Sequence, residues 1–139
     1  MHLLIRTDGG ARGNPGPAGI GVVIENAETG EVLEQHAEYL GETTNNQAEY
    51  RAVLLGLERA HKLRATRVDV LADSELLVKQ ANGQYKVKNE GLAPLFLKMK
   101  NLCVQIGRVT FKHVRREKNT AADALANKAM DQGMKKMLY

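Results

Sequence analysis

Asp8, Glu49, Asp73 and Asp123 are the residues of this 139-residue sequence whose type and spacing could do chemistry together. Asp8 directly follows an apolar run at 3–7, and Asp73 directly follows another at 67–72. Glu49 falls in the first turn of a helical pattern beginning at Asn46, and Asp123 in the first turn of one beginning at Thr120. Each acid has a structural alternative. Asn46-x-x-Glu49 and Thr120-x-x-Asp123 fit the pattern in which an acid bonds back to a helix start. Asp8, ahead of two glycines, fits a turn, and Asp73 fits a helix cap. Capping and turns do not explain why two apolar strands should each end in an acid. Four acids crowded together repel one another and raise their pKa values, and divalent cations relieve that conflict. Hard carboxylate oxygens favour Mg²⁺ or Mn²⁺. A single cysteine, Cys103, and scattered histidines disfavour zinc or copper.

The elements that must position these acids follow from hydrophobic periodicity. A strand over 3–7 leads into a glycine- and proline-rich turn over 9–19, and the β-branched run at 20–24 is a buried strand. A hairpin loop at 25–30 leads to a third strand over 31–40. Connections this short make the first three strands an antiparallel meander. Helical spacing then appears at 46–63, followed by a strand at 67–72, a short helix at 73–81 and a helix at 91–106. The 91–106 helix carries an apolar face of Leu92, Leu95, Phe96, Met99 and Leu102. A strand at 109–114 and a helix at 120–130 complete the pattern, leaving 133–139 as a C-terminal tail. The fold class is therefore α/β, in the order βββαβααβα: a mixed five-stranded sheet, its first three strands antiparallel, flanked by helices. A right-handed crossover sets the first and fourth strands side by side and parallel. Asp8 and Asp73 then project from one sheet edge, where open α/β sheets place their chemistry.

Residues 1–139 read as a single domain. With 43% hydrophobic residues, 4% aromatics and no Trp, the core is expected to be aliphatic, and the composition argues against an aromatic stacking platform for single strands. The net charge of +4 is modest, but Arg108, Lys112, Arg115, Arg116 and Lys118 crowd one segment opposed only by Glu117, which suits a polyanionic partner. A lone cysteine cannot form an internal disulfide, and Cys103 reads as a small buried hydrophobe in a reducing, cytoplasmic setting. The apolar run before Arg6 is too short for a signal peptide or a membrane span. A monomer without a membrane partner is expected.

The sequence resembles the ribonuclease HI family over nearly its whole length. The resemblance is carried by Thr7-Asp8-Gly9-Gly10 with Gly13-Asn14-Pro15-Gly16-Pro17-Ala18-Gly19, by Thr44-Asn45-Asn46-Gln47-Ala48-Glu49, by Ala72-Asp73-Ser74, and by Asn119-Thr120-Ala121-Ala122-Asp123 with Leu125-Ala126. It implies a ribonuclease H-like fold and endonucleolytic hydrolysis of RNA in RNA–DNA hybrids, giving 3′-hydroxyl and 5′-phosphate ends. It assigns two Mg²⁺ ions, replaceable by Mn²⁺, to Asp8, Glu49, Asp73 and Asp123. Gly9, Asn14, Asn45, Asn46 and Gln47 match positions that contact the hybrid, with Asn14 and Gln47 reading the RNA strand.

The sequence departs from the commoner family pattern in two segments. The basic helix-and-loop insertion of many bacterial members is missing, since Gln84-Tyr85-Lys86-Val87-Lys88-Asn89 leads straight on. The loop before the last helix, Val114-Arg115-Arg116-Glu117-Lys118, is short and lacks the glycine and assisting histidine seen in many members. The chain is thus similar to an archaeal-like subgroup in which an arginine serves there. Arg116 is the candidate, and His113 reads as a strand-end residue. Lys86, Lys88, Arg115 and Lys118 are candidate phosphate contacts. Two other readings stay open: a non-catalytic hybrid-binding module, and another nuclease of the same fold. Double-stranded RNA is a second candidate substrate.

Overall fold

The computed structural model describes residues 1–137, with side-chain surroundings described through residue 136. The chain runs β1 (His2–Ala11), β2 (Gly16–Asn26), β3 (Val32–Thr43), α1 (Asn45–Lys62), β4 (Arg67–Ala72), α2 (Glu75–Ala81), α3 (Ala93–Ile106), β5 (Arg108–His113), a 3₁₀ turn (Arg116–Lys118) and α4 (Thr120–Met137). The sheet order is β3-β2-β1-β4-β5. β2 is antiparallel to both β1 and β3, while β4 is parallel to β1 and to β5. The element order and the mixed sheet are those expected from the sequence.

The first strands are longer than hydrophobic runs alone suggest. The segment read as a turn over 9–19 is mostly paired: Gly10 faces Gly19 and Ala11 faces Ala18 across β1 and β2, leaving only 12–15 as the turn. Glycine carries no hydrophobic signal, yet its backbone enters the ladder like any other. β1 pairs with β4 only as far as Thr7 opposite Ala72, but with β2 as far as Ala11. Asp8 is therefore inside a strand on one side and beyond the pairing on the other. At the far end, 133–137 continue α4 rather than forming a tail, and Gly133 lies against the Tyr39 ring where any Cβ would collide. The remaining part of the expected tail, 138–139, lies outside the described residues.

Helices cover both faces. On one, α1 and α3 pack over a core that includes Leu3, Ile5, Ile20, Val22, Val53, Leu57 and Met99. This core is mainly aliphatic, but its largest fully buried side chain is aromatic: Tyr50 is 1% exposed, and its hydroxyl donates to Gln80 Oε1. Cys103 is partly buried against the same cluster, and burial pushes its thiol pKa up. On the other face α4 lies across β1, β2 and β3. Its approach depends on glycine, because a Cβ on Gly21 would run into the Ala122 carbonyl, and one on Gly19 would sit 2.8 Å from the Ala126 carbonyl. Among the described residues no helix is long and apolar enough to cross a membrane.

Candidate active site

Asp8 stands opposite Gly21 in the β1–β2 ladder, and opposed residues share a face of the sheet. Gly21 is where α4 touches the sheet with its first turn, at Ala122. The register therefore aims Asp8 at Asp123, the next residue of that turn. Asp73 follows the last β4 residue, Ala72, whose partner Thr7 precedes Asp8. Glu49 comes from the α1 side: a Cβ on Gly9 would strike the Ala48 carbonyl, so the first turn of α1 rests directly on β1 beside Asp8. The absence of a side chain at Gly9 thus has a packing cause.

The four acids line one cavity of about 480 Å³, whose wall also includes Gly9, Asn45, Arg12 and Arg116. The Asp8 carboxyl is close enough to hydrogen-bond with Asp73 and Asp123. Burial, and then the Asp73 charge, push Asp8 up to about 7. Burial also pushes Glu49 up to about 7; a hydrogen bond with Ser74 opposes the rise and the Asp73 charge adds to it. Asp73 is raised by burial, against the hydrogen bond with Asp8 and the charge of Arg116. These are groups held at a cost in charge, as acids gathered for a cation are.

The capping alternatives separate cleanly for two acids. Thr44 caps α1, its side chain accepting from Gln47 N–H at 3.2 Å, so Asn46 lies within the helix and Glu49 is free to meet Ser74. Ser74 caps α2, accepting from Leu77 N–H, which leaves Asp73 outside that role. The Asp123 carboxylate accepts from the Arg116 guanidinium at 3.4 Å.

The donor set suits a hard divalent ion. Among the described residues no three Asp, Glu, His or Cys side chains already close around one point.

The other expected residues divide into groups. Asn45 lies in the cavity wall and joins two segments: its Oδ1 accepts from Ala11 N–H at 2.7 Å, and its own N–H donates to Asn14 Oδ1 at 3.1 Å. Gln47 donates to the Gly91 carbonyl at 2.8 Å. Asn14, Asn46, Gln47, Lys86, Lys88, Arg115 and Lys118 are not part of that wall. Lys86, Lys88, Arg115 and Lys118 are exposed. His113 is the exposed last residue of β5 and is likewise outside the wall, whereas Arg116 is part of it. Residues 82–92 join α2 to α3 without a further helix, as expected for a chain lacking the basic insertion.

A family model described as reverse transcriptase-like matches residues 6–129. A ribonuclease H of Lachnoclostridium phytofermentans is 34% identical over 152 aligned positions, covering 96% of this chain and 94% of that protein. The chain belongs to the ribonuclease HI family. Ribonuclease HI of Halobacterium salinarum is 37% identical over 124 residues, covering 89% of this chain and 62% of that protein. A bifunctional protein of Mycobacterium tuberculosis is 47% identical over 131 residues; this chain spans only 36% of its length. The solved amino-terminal RNase H domain of that mycobacterial protein superposes with a TM-score of 0.94 at 44% identity, covering 98% of each chain. LC11 ribonuclease H1, solved in complex with an RNA/DNA hybrid, superposes with a TM-score of 0.89 at 44% identity, covering 95% of this chain and 99% of that one.

Three residues of this ribonuclease HI chain were not singled out from its sequence as site residues. Ser74 bonds Glu49 while capping α2, and a serine three residues before the buried Leu77 was a readable signal for the cap. Asn119 is fully buried and donates from Nδ2 to the Thr7 carbonyl at 2.8 Å, fastening the entry of α4 to the residue before Asp8. Arg12 reaches across to α4, 115 to 122 residues away along the chain, and no local pattern announces that contact.

Proposed function

We propose that this chain, with residues 1–139 as its catalytic domain, is an endoribonuclease that hydrolyses the RNA strand of RNA–DNA hybrids and leaves 3′-hydroxyl and 5′-phosphate ends. The observation that carries this reading is the convergence of Asp8, Glu49, Asp73 and Asp123, from separate elements, on one cavity shared with Arg116. The hybrid held by LC11 ribonuclease H1 supports the same substrate here. Asp8, Glu49, Asp73 and Asp123 would hold two Mg²⁺ ions, or Mn²⁺ in their place, supplying Lewis-acid activation of water and stabilisation of the leaving oxygen.

The chain's own residues then have distinct tasks. Asp8 is central, within hydrogen-bonding reach of both Asp73 and Asp123. Ser74 orients Glu49. Arg116, with its side chain 77% exposed beside Asp123, can meet a phosphate at the cavity mouth and assist its departure. Gly9 and Asn45 form part of the wall, and Asn14, Asn46 and Gln47, from the adjoining loop and helix start, are assigned to the hybrid, where 2′-hydroxyls distinguish RNA from DNA. Lys86, Lys88, Arg115 and Lys118 position the backbone without reading sequence.

Labelled RNA–DNA hybrid, double-stranded RNA and a DNA junction, each incubated with Mg²⁺ or Mn²⁺, test the proposal. The hybrid is cut without sequence preference, and binding weakens steeply with salt. Asp8→Asn lowers cleavage on the order of 10³-fold or more while the protein remains folded by circular dichroism. Purified Asp8→Asn cutting at the wild-type rate would refute the carboxylate assignment. A wild-type chain that binds hybrid but cuts with neither ion is a binding module. Faster cutting of the junction marks another nuclease.

A further inference from the structure

Arg12, like Arg116, is a basic residue in the cavity wall, and side chains of α4 hold it there. Its guanidinium donates to Asp131 Oδ1 at 2.6 Å and to Asn127 Oδ1 at 3.3 Å, and lies 3.4 Å from Met134 Sδ. Asn127 in turn donates to the backbone carbonyl of Asp123 at 3.0 Å. Asp123, Asn127 and Asp131 are spaced four apart on α4, so they form one stripe along one side of the helix. Arg116 bonds Asp123 at one end of this stripe and Arg12 bonds Asp131 at the other. Eight residues of helix separate those ends by about 12 Å, a span of a few backbone phosphates at about 3.4 Å of axial rise each. Both arginines are in the wall of the carboxylate cavity.

The hold on Arg12 is weak enough to be exchanged. The Asp131 side chain is 67% exposed and that of Arg12 37%, and an ion pair this open to water adds little net stability. A phosphodiester offers the same guanidinium two oxygens in a geometry it can grip bidentately. A cavity whose wall holds four carboxylates also repels a nucleic-acid strand along its flanks. Cationic residues fixed at both ends of the α4 stripe offset that repulsion where the strand enters and leaves.

We propose that Arg12 is a phosphate-binding residue: its guanidinium, parked on Asp131, transfers to a backbone phosphate of the strand seated in the carboxylate cavity, at the end of the α4 stripe away from Arg116. This rests on the ribonuclease reading above and adds a contact that fixes the strand's position. The alternative is that Arg12 merely latches the 12–15 turn to α4.

Hybrid binding across a salt series separates the two, measured in an Asp8→Asn background so that binding is read without cleavage. Arg12→Ala lowers affinity several-fold and makes the slope of log affinity against log salt shallower by about 0.9, the loss of one phosphate contact. Arg12→Lys retains the slope. Asp131→Asn, which frees the guanidinium, leaves affinity equal to or above that of the parent. A latch gives a different set: Arg12→Ala and Asp131→Asn lower melting temperature and affinity alike, and the slope does not change. That result overturns the proposal. Arg12→Gln serves as a second neutral variant if Arg12→Ala unfolds. Wild-type cleavage with an unchanged Arg12→Ala slope overturns this inference alone, whereas absence of both hybrid binding and cleavage overturns it together with the ribonuclease reading.

Discussion

The two faces of the sheet are built on opposite principles. On the α1 face, large aliphatic side chains such as Ile5, Val22, Val53 and Leu57 interdigitate in one continuous cluster. On the α4 face the buried contacts come from Gly19 and Gly21 below and Ala122, Ala126, Ala129 and Met130 above, with Val23 beside them. Side chains that fill space stabilise by area and volume and can adjust by changing rotamer. Backbone seated on backbone has no such freedom, since dense packing leaves no slack to take up an extra atom. The α1 face therefore carries most of the aliphatic burial, and the α4 face fixes distance. That difference matters because Asp123 is delivered by the α4 face, one residue after the Ala122 carbonyl that rests on Gly21.

A matched pair of substitutions tests this division most severely. Gly21→Ala puts a methyl group where the Ala122 carbonyl lies, so α4 must move away from β2 and carry Asp123 with it. Overpacking of this kind costs about 1–3 kcal/mol or more, and a displacement of about 1 Å at reacting groups can cost on the order of 10²-fold in rate. Leu57→Ala, at a fully buried position on α1, should destabilise by about 2–5 kcal/mol through the cavity it leaves. Its kcat should nonetheless remain close to wild type at temperatures where it is folded. Rates of hybrid cleavage with melting temperatures measured on the same samples check both. If Leu57→Ala lost activity as deeply as Gly21→Ala, position and volume would not be divided between the faces.

Proton linkage gives an effect confined to the Asp8 neighbourhood. Asp8 and Glu49 titrate at about 7 in the folded chain, and Asp73 is also raised, while ordinary carboxylates titrate near 4. The metal-free folded state therefore binds more protons than the unfolded state between those values. The stability contributed by these groups is fully present below about pH 4 and is lost as pH rises through about 7. The melting temperature of the metal-free protein should fall across that window, by on the order of 10 °C or more if both shifts are fully expressed. Mg²⁺ should restore it at alkaline pH, because an ion bound only by the folded state shifts the equilibrium towards it. Asp8→Asn should flatten the pH dependence, whereas Leu57→Ala should lower the whole curve without changing its shape. An unchanged slope in Asp8→Asn would count against the crowding of charge around that residue.

Much of this was legible from residue order, and the parts that were not share a cause. Apolar runs ending in Asp8 and Asp73 placed both acids at the edge where β1 and β4 stop pairing. Helical spacing located the elements that bring in Glu49 and Asp123. Local patterns were less sure within a turn of a helix end: Thr44 rather than Asn46 caps α1, and Ser74 rather than Asp73 caps α2. The glycine-rich ends of β1 and β2 read as a turn because pairing there uses only backbone. Tyr50 gave no sign of its burial, which depends on Gln80 thirty residues away. Arg12 and Asn119 owe their roles to partners more than 110 residues distant, which only the folded chain brings near. Lys86 and Lys88 fall outside the cavity wall, so their assignment still rests on charge and exposure.

Two buried hydrogen bonds, one on each side, allow the finest comparison. On the α1 side the Tyr50 hydroxyl donates to Gln80, and on the α4 side Asn119 donates to the Thr7 carbonyl. Removing either donor leaves a buried acceptor unsatisfied at a cost of about 1–3 kcal/mol. Tyr50→Phe and Asn119→Ala should therefore melt at similar, lowered temperatures. Their functional consequences should differ. Asn119 bonds the residue before Asp8 and sits at the entry of α4, where Asp123 N–H donates to its carbonyl at 3.1 Å. Losing its amide loosens the two aspartates relative to each other. Asn119→Ala should then need several-fold more Mg²⁺ for half-maximal cleavage, while Tyr50→Phe should keep the wild-type requirement. Titration of activity against Mg²⁺ reads this directly, and an equal rise in both variants would mean that the loss tracks global stability rather than the α4 contact with β1.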